Sequence, residues 1–505
     1  MPLMGMTLLR EHTHTRKHST ALRRKTGRVG LHRKAHRGWL ARCVAATVVV
    51  AAGSGIVEEA WLYAPQMTRA ESSGSLARIL DAAEAASPVD AVEAVTRELG
   101  VALGATEVSF LIADLSGRAL VRLAHAPLGE AGTRSDDSRG KVGERRDAEE
   151  FATVLPFDGG PSEQAVRTQT VQVVAPSDRP EGAADRAQWT ILAPMTERGE
   201  VIGLLELRVP QEPAPGALVE IARLAHLLAF VVIASRRHTD LYEWGQRSRR
   251  SSLSAEIQQR LLPGPRTCEA GAFTLSAWLE PAAEIAGDTF DYSLARDLLH
   301  LSMTDAMGHG VGAALTASLC VGGLRGARRE GATLLAQASA ANAALVAHAL
   351  SGSKEDFVTG LIGRLDLTSG GLELVNAGHV APYLMRNGYV TTVHLPADLP
   401  FGLFGETDYR STVIRLEPGD RVLLVTDGML ERNAAGIDLS NAMIETRELH
   451  PREAVRHLAD SVLRATGDDL KDDATALMVD WHGGHDRQRT TSAGADPLRA
   501  SDPLV

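Results

Sequence analysis

A chain of 505 residues exceeds what one hydrophobic core organises, and 44% hydrophobic with 23% charged residues excludes a largely disordered protein. The net charge of −10 is unevenly spread: residues 1–42 hold 11 Lys or Arg against one acid, Glu11, which leaves −20 on the remainder. An acidic body excludes specific nucleic-acid binding by the folded part, while the basic arm is free to touch anionic lipid or RNA, or to stay solvated.

Residues 1–71 read as this arm followed by a short apolar run, Cys43 to Val57 (CVAATVVVAAGSGIV). That run is shorter than the roughly 20 residues a membrane-spanning helix needs. A second apolar stretch, Ile221 to Ser235, would complete a two-span topology, but Arg223 and His226 lie within it and its spacing suits a helix packed on a sheet. The three cysteines, Cys43, Cys268 and Cys320, are far apart and form no CxxC pair, so neither a disulfide framework nor a zinc site is indicated. A cytoplasmic location is expected, with residues 1–57 offering peripheral or anchored membrane contact.

Residues 72–236 read as one α/β module. Helices over Leu76–Ala86 and near Ala91–Leu103 lead to strands Val108–Asp114 and Ala119–Ala124, a charged loop Thr133–Glu150, and a hairpin of Trp189–Met195 and Val201–Val209 before a closing helix. This order, with ILAPM and GLLEL in the last two strands, resembles a GAF sensor domain; no Cys or His anchor for haem or a bilin is visible, so its ligand or partner is unknown. Residues 237–263 read as a linker helix ending at Pro263, capable of a short coiled coil in a homodimer. Residues 264–481 form the chemical module, with Ala-rich helices at Val311–Ala327 and Ala332–Leu350, and residues 482–505 read as a disordered tail.

In that module, acids and glycines cluster where apolar runs end. They read Ala286-Gly287-Asp288-Thr289-Phe290-Asp291, Thr304-Asp305-Ala306-Met307-Gly308-His309-Gly310, Thr426-Asp427-Gly428 and Asp472-Asp473-Ala474-Thr475. A single Asp-Gly is most often a turn. Repeated carboxylates at the ends of buried strands would repel one another unless cations neutralised them, and hard divalent cations take oxygen ligands. A pair of such cations acidifies water and offsets phosphoryl charge, so no side-chain nucleophile is required. Cys268 and Cys320 lack a nucleophile's surroundings, and His309 and His379, each in a glycine-flanked loop, read as packing or hydrogen-bonding residues rather than catalytic ones.

In this order the motifs resemble the metal-dependent protein phosphatase (PPM) superfamily, in its bacterial branch typified by the stage II sporulation protein E phosphatase. The resemblance covers about residues 256–481 and includes Ile257–Pro263, Asn376-Ala377-Gly378-His379 with Pro382, Leu399-Pro400-Phe401-Gly402-Leu403 and Pro418-Gly419-Asp420. It implies a sandwich of two β-sheets flanked by helices, with two Mn2+ or Mg2+ ions in the cleft at the sheet ends. It further implies that Asp288 and Asp305 ligate the pair, with Asp288 bridging and Ala306 giving its carbonyl, and that Asp427 and Asp472 complete the second ion's shell. Asp291 and Asp473 are weaker candidates.

The function implied is a protein serine/threonine phosphatase regulated by the GAF-like module, acting on a phosphorylated STAS-type anti-sigma-factor antagonist. A catalytically silent partner-binding scaffold is the alternative, favoured by missing acids, and none is missing. A nucleotide or small-phosphoester hydrolase is a third reading, without a P-loop to support it.

Overall fold

The computed structural model describes residues 69–115, 117–128, 153–178, 188–246, 252–281, 287–350, 356–430, 438–466, 470, 472–484 and 497–500. The expectations for the arm, for Cys43 and the Cys43–Val57 run, and for the loop Thr133–Glu150 lie outside these residues.

In the first module, helices α1 (Arg69–Ala85) and α2 (Ala91–Ala102) precede strands β1 (Glu107–Ala113) and β2 (Ala119–Pro127). Then come β3 (Val154–Pro156), α3 (Pro161–Thr168), β4 (Gln172–Val174), β5 (Trp189–Glu197), β6 (Glu200–Val209) and α4 (Pro215–Ser235). The six strands form an antiparallel sheet in the order β3-β2-β1-β6-β5-β4. Strand periodicity of two splits its residues between faces. Phe110, Ile112, Leu205 and Leu207 join Val95 and Leu99 of α2 and Leu228 and Val232 of α4 in one core, while Leu111, Leu120, Leu192 and Leu204 meet Ala165 of α3 on the other face. Sequence reading missed β3, α3 and β4, which are too short for a hydrophobic period to show.

Among the described residues, α4 alone is long and apolar enough to cross a membrane, and its Ile221, Leu224, Leu228 and Val232 are buried in the first module's core. The single helix expected over 237–263 is corrected to two short ones, α5 (Leu241–Gly245) and α6 (Leu253–Leu261). Gly245 lies against the Leu123 side chain, and Ser252 restarts the helix by accepting a hydrogen bond from Ala255 N at 3.2 Å.

The second module begins with β7 (Thr267–Glu269), β8 (Phe273–Glu280), β9 (Asp288–Leu294) and β10 (Leu298–Ala306), followed by α7 (Gly310–Arg329) and α8 (Leu334–Ala349). It continues with β11 (Val358–Asp366), β12 (Gly371–Ala377), β13 (Tyr383–Arg386), β14 (Tyr389–Thr392), β15 (Ala397–Asp398), β16 (Ser411–Arg415) and β17 (Arg421–Val425). Helices α9 (Leu439–Glu445) and α10 (Pro451–Thr466) and strand β18 (Ala474–Trp481) complete it.

Two six-stranded sheets result, one ordered β15-β12-β11-β10-β9 with β16 beside β12, the other β14-β13-β17-β18-β8-β7. Leu299, Leu301 and Met303 of β10 point between the sheets to meet Leu275, Leu424, Leu477 and Val479. Outside one sheet lie α9 and α10, through Met443, Val455, Leu458 and Val462; outside the other lie α7 and α8, through Ala317, Leu324, Ala338 and Leu345. The layers therefore run helix, sheet, sheet, helix.

At the chain's end the expected disorder of 482–505 is corrected locally. Pro497–Arg499 form a 3-10 turn whose Arg499 guanidinium donates to Asp480 at 3.1 Å and to Leu449 O at 3.1 Å.

Candidate metal centre

Strand register brings the first two acids together. In the antiparallel pair β9/β10, Asp288 stands directly opposite Asp305, and on the far side of β10 Asp305 stands opposite Thr359. The other sheet delivers its acids the same way: Asp427 follows β17 and Asp472-Asp473 precede β18, two strands paired from Arg421/Asp480 to Val425/Ala476. Neighbouring strands that run antiparallel bring the end of one beside the start of the next, so acids distant in sequence share one rim of the sandwich.

Hydroxyl bonds lock the rim. Thr426 Oγ1 and Thr475 Oγ1 both donate to Asp288 Oδ2, at 2.7 and 2.6 Å, which ties the β17/β18 sheet to β9. Thr475 N donates to Thr426 Oγ1 at 3.0 Å, fixing that hydroxyl's direction. Asp473 Oδ2 accepts from Gly287 N at 3.1 Å and from Gln258 Nε2 at 2.6 Å. The same Gln258 amide donates to Asp288 O at 2.8 Å, so one side chain from α6, with no solvent exposure, reaches two acids of the rim. Sequence reading missed Gln258, Thr426 and Thr475 as site residues. The signal for Gln258 was present as a polar residue in the Ile257–Pro263 run.

Two backbone approaches need glycine. A Cβ on Gly287 would sit 2.5 Å from Ala306 O, the carbonyl expected to serve as a ligand, and a Cβ on Gly428 would run into Asp473 O. The acid-glycine pairing read from the sequence therefore has a steric cause at both positions.

The carboxylates are crowded. Burial, then the charge of Asp305 and of Asp473, holds the Asp288 carboxyl well above the usual range, against the pull of the two threonine hydroxyls. Burial, with the charges of Asp427, Asp472 and Asp473, pushes Asp305 up to about 7. Burial also raises Asp472, helped by Asp427 and opposed by the Asp473 amide. Among the described residues, no group of three or more His, Cys, Asp or Glu converges closely enough to hold an ion as it stands. The donor set nevertheless fits hard divalent cations: its side-chain donors are carboxylate oxygens that repel one another, buried at Asp288 and open to solvent at Asp427.

The weaker candidates separate. Asp291 is taken by arginines, with Arg325 Nη2 and Arg328 Nη1 each at 2.9 Å, and serves to tie β9 to α7. Asp473 stays in the rim, but its Oδ2 is directed at main-chain amides and Gln258. His309 is exposed at the start of α7. His379 is buried, its Nδ1 2.9 Å from Thr359 Oγ1, and burial pushes its pKa down to about 4, so its ring is neutral. Cys268 and Cys320 are buried thiols.

Comparison with known proteins bears on this rim. The family model for stage II sporulation protein E (SpoIIE) matches residues 295–482, a span that includes Asp305, Asp427, Asp472 and Asp473 and leaves Asp288 and Gln258 outside. The curated phosphoserine phosphatase RsbU of Bacillus subtilis (strain 168) is 24% identical over 233 residues, 45% of this chain and 68% of that protein. Among solved structures, the PP2C phosphatase domain with a fragment of the regulatory domain of SpoIIE from Bacillus subtilis is 21% identical, with TM-score 0.36, over 41% of this chain and 64% of that one. The RsbU and RsbW domains of Rv1364c from Mycobacterium tuberculosis are 26% identical, with TM-score 0.36, over 43% of this chain and 63% of that one. The chain thus spans less than two thirds of either of these two structures. Residues 295–482 thus match the SpoIIE model, and over this part the chain is similar to PPM-type protein serine/threonine phosphatases.

Proposed function

We propose that the second module hydrolyses phosphoserine or phosphothreonine on a protein, using two divalent cations, Mn2+ or Mg2+, held by Asp288, Asp305, the Ala306 carbonyl, Asp427 and Asp472. The observation that carries this is the position of Asp305, which faces Asp288 across the ladder and feels the charges of Asp427, Asp472 and Asp473. Asp305, rather than Asp288, is therefore the acid best placed between two ions; Asp288 already gives one oxygen to two hydroxyls. When bound, such a cation pair supplies Lewis acidity toward phosphoryl oxygens and acidifies water. The protein's own part is to hold the acids apart from bulk solvent on one side and open on the other: Thr426 and Thr475 orient Asp288, Gln258 and the Gly287 amide orient Asp473, and exposed Asp427 faces the entering phosphate.

The relative named a phosphoserine phosphatase supports a phosphoprotein substrate, and a STAS-type anti-sigma-factor antagonist is the substrate we assign. The first module's six-stranded antiparallel sheet, with helices on both faces, supports a GAF-like sensor that takes a small ligand or partner. Exposed Val219 and Phe230 on α4 support a homodimer formed along that helix. The test is manganese-dependent phosphate release from a phosphoserine STAS protein by wild type, Asp305→Asn and Asp427→Asn. Activity lost in both variants with folding retained supports the reading. An inert wild type with either metal sinks it and leaves the partner-binding scaffold.

A further inference from the structure

Helix α10 and strand β7 meet the first module along a continuous line of polar contacts that the phosphatase chemistry does not use. Arg452, in the first turn of α10, donates through Nη1 to Gly199 O at 3.0 Å and through Nη2 to Arg167 O at 2.7 Å. The β5–β6 turn and the end of α3 thus converge on one guanidinium. One turn on, Arg456 lies 3.7 Å from Glu163, and Asp460 lies 3.5 Å from Arg118. Along β7, Glu269 N donates to Arg198 O at 2.9 Å, Arg198 Nη1 donates to Glu269 O at 3.3 Å, and the Glu269 carboxylate meets His450 Nε2 at 3.1 Å. Arg266 Nη1 donates to Leu115 O at 2.6 Å, and its charge acts on the half-buried Glu200.

Glu163, Arg167, Glu269, His450 and Glu453 are all buried. Buried charges add little net free energy over apolar packing, but leaving one unpaired is strongly destabilising, so such an interface tolerates one register and penalises others. Modules joined only by a tether have no reason to bury charge in register.

The gripped helix leads back to the metal centre. From Arg452, α10 runs to Thr466 and packs on β8 and β18 through Ala454, Val455, Leu458 and Val462. Its chain then returns within a few residues to Asp472 and Asp473.

We propose that the α10/β7 face is a docking site for the chain's own first module, and that docking fixes α10 so that Asp472 and Asp473 keep their places in the acid rim. The first module thereby sets the cation affinity of the centre through α10. This rests on reading the acid rim as a divalent-cation site.

The test uses the full chain and measures Mn2+ affinity by calorimetry and by the Mn2+-induced rise in melting temperature, with phosphate release recorded in parallel. Arg452→Ala removes the grip from the phosphatase side. Gly199→Ala distorts it from the sensor side, because Gly199 sits at φ 83° and a Cβ there would lie 2.9 Å from the Glu269 carboxylate. Each should weaken Mn2+ binding roughly 5- to 100-fold, and the double variant should be no weaker than the worse single one. Arg464→Ala, on the exposed side of α10, should leave affinity unchanged. Unchanged affinity in both single variants, or shifts that add in the double variant, overturns the proposal. If Arg452→Ala lacks a cooperative melt, Arg452→Lys, which can reach only one of the two carbonyls, should show the same shift in smaller size, and its absence is equally fatal. Wild type that binds Mn2+ without releasing phosphate defeats the phosphatase reading while leaving this docking test intact.

Discussion

Thr426 and Asp288 lie 138 residues apart in the chain, yet the threonine hydroxyl donates to the aspartate at 2.7 Å and joins the two sheets of the sandwich at the rim where the acids collect. Thr475 repeats the bond to the same oxygen at 2.6 Å. Asp288 is 2% exposed, so a carboxylate at this position depends on those donors for part of its solvation.

Replacing Thr426 by Val keeps the volume and removes the hydroxyl. A hydrogen bond to a charged group contributes about 1.5–3 kcal/mol, so Thr426→Val should lower stability by about that amount. Mn2+ affinity should fall about tenfold, in line with losses of groups that orient ligands. Chemical denaturation and calorimetry check both figures. Thr426→Ser, which restores the hydroxyl, should recover most of the affinity; if it does not, the methyl packing and not the bond is what matters.

The raised carboxyls make stability depend on pH. Asp305 moves from an ordinary 3.8 up to about 7, so the stability gained by holding its proton is complete below the lower value and is lost as pH rises through the upper one. Buried His379 works in the opposite sense, with its pKa pushed down from 6.5 to about 4, and its contribution is complete above the upper of those values. From about pH 6.5 to 8 the acids should therefore dominate, and EDTA-treated protein should melt at lower temperature as pH rises. Excess Mn2+ should abolish that decline, and Asp305→Asn should flatten it without metal. A melting temperature in EDTA that is level across the window would show that the acids are not crowded.

The acid positions were legible because an acid stands where an apolar strand run ends or begins at Asp305, Asp427 and Asp472, with glycine next to it at Asp427 and three residues on at Asp305, and the strand register then places them on one rim. Asp291 was already the weaker candidate in sequence, but the arginines that neutralise it, Arg325 and Arg328, lie more than a strand away and no local pattern announces them. The alternation in β10 and the apolar run of β17 gave those two strands, whereas the sandwich was implied only by the family resemblance. The connecting helix was misread because the Arg, Ser and Gln spacing of 241–262 is compatible with helix throughout, while its interruption comes from Gly245 packing on Leu123 and the cap at Ser252. The contacts between modules, such as Arg452 with two main-chain carbonyls, carry no side-chain motif on the acceptor side and could not be read in advance.

Gly428 follows Asp427 where the main chain passes Asp473 O with no room for a side chain. Gly428→Ala should push the 3-10 turn Asp427–Leu430 away from β18 and destabilise the fold by about 1–3 kcal/mol, as overpacked sites do. Because Asp427 rides on that turn, phosphate release should drop further than stability alone explains. Measuring activity well below the melting transition separates the two, and full activity there would mean that Asp427 tolerates displacement.

Gln258 offers the sharpest test of how α6 serves the site. Its Nε2 donates to Asp473 Oδ2 at 2.6 Å and to Asp288 O at 2.8 Å, and the side chain is wholly buried. Gln258→Leu fills nearly the same space without the amide, so packing of α6 should survive while buried Asp473 loses a donor. The expected stability loss is about 1–3 kcal/mol, the desolvation penalty of an unpaired buried group, with Mn2+ affinity falling in parallel. Gln258→Glu adds a carboxylate beside Asp473 and should be worse without metal than with it, because an added cation would offset the extra charge. If Gln258→Leu matches wild type in both Mn2+ affinity and phosphate release, the hydrogen bonds of α6 to the rim are structural decoration, and the acids hold their places through Thr426, Thr475 and the Gly287 amide alone.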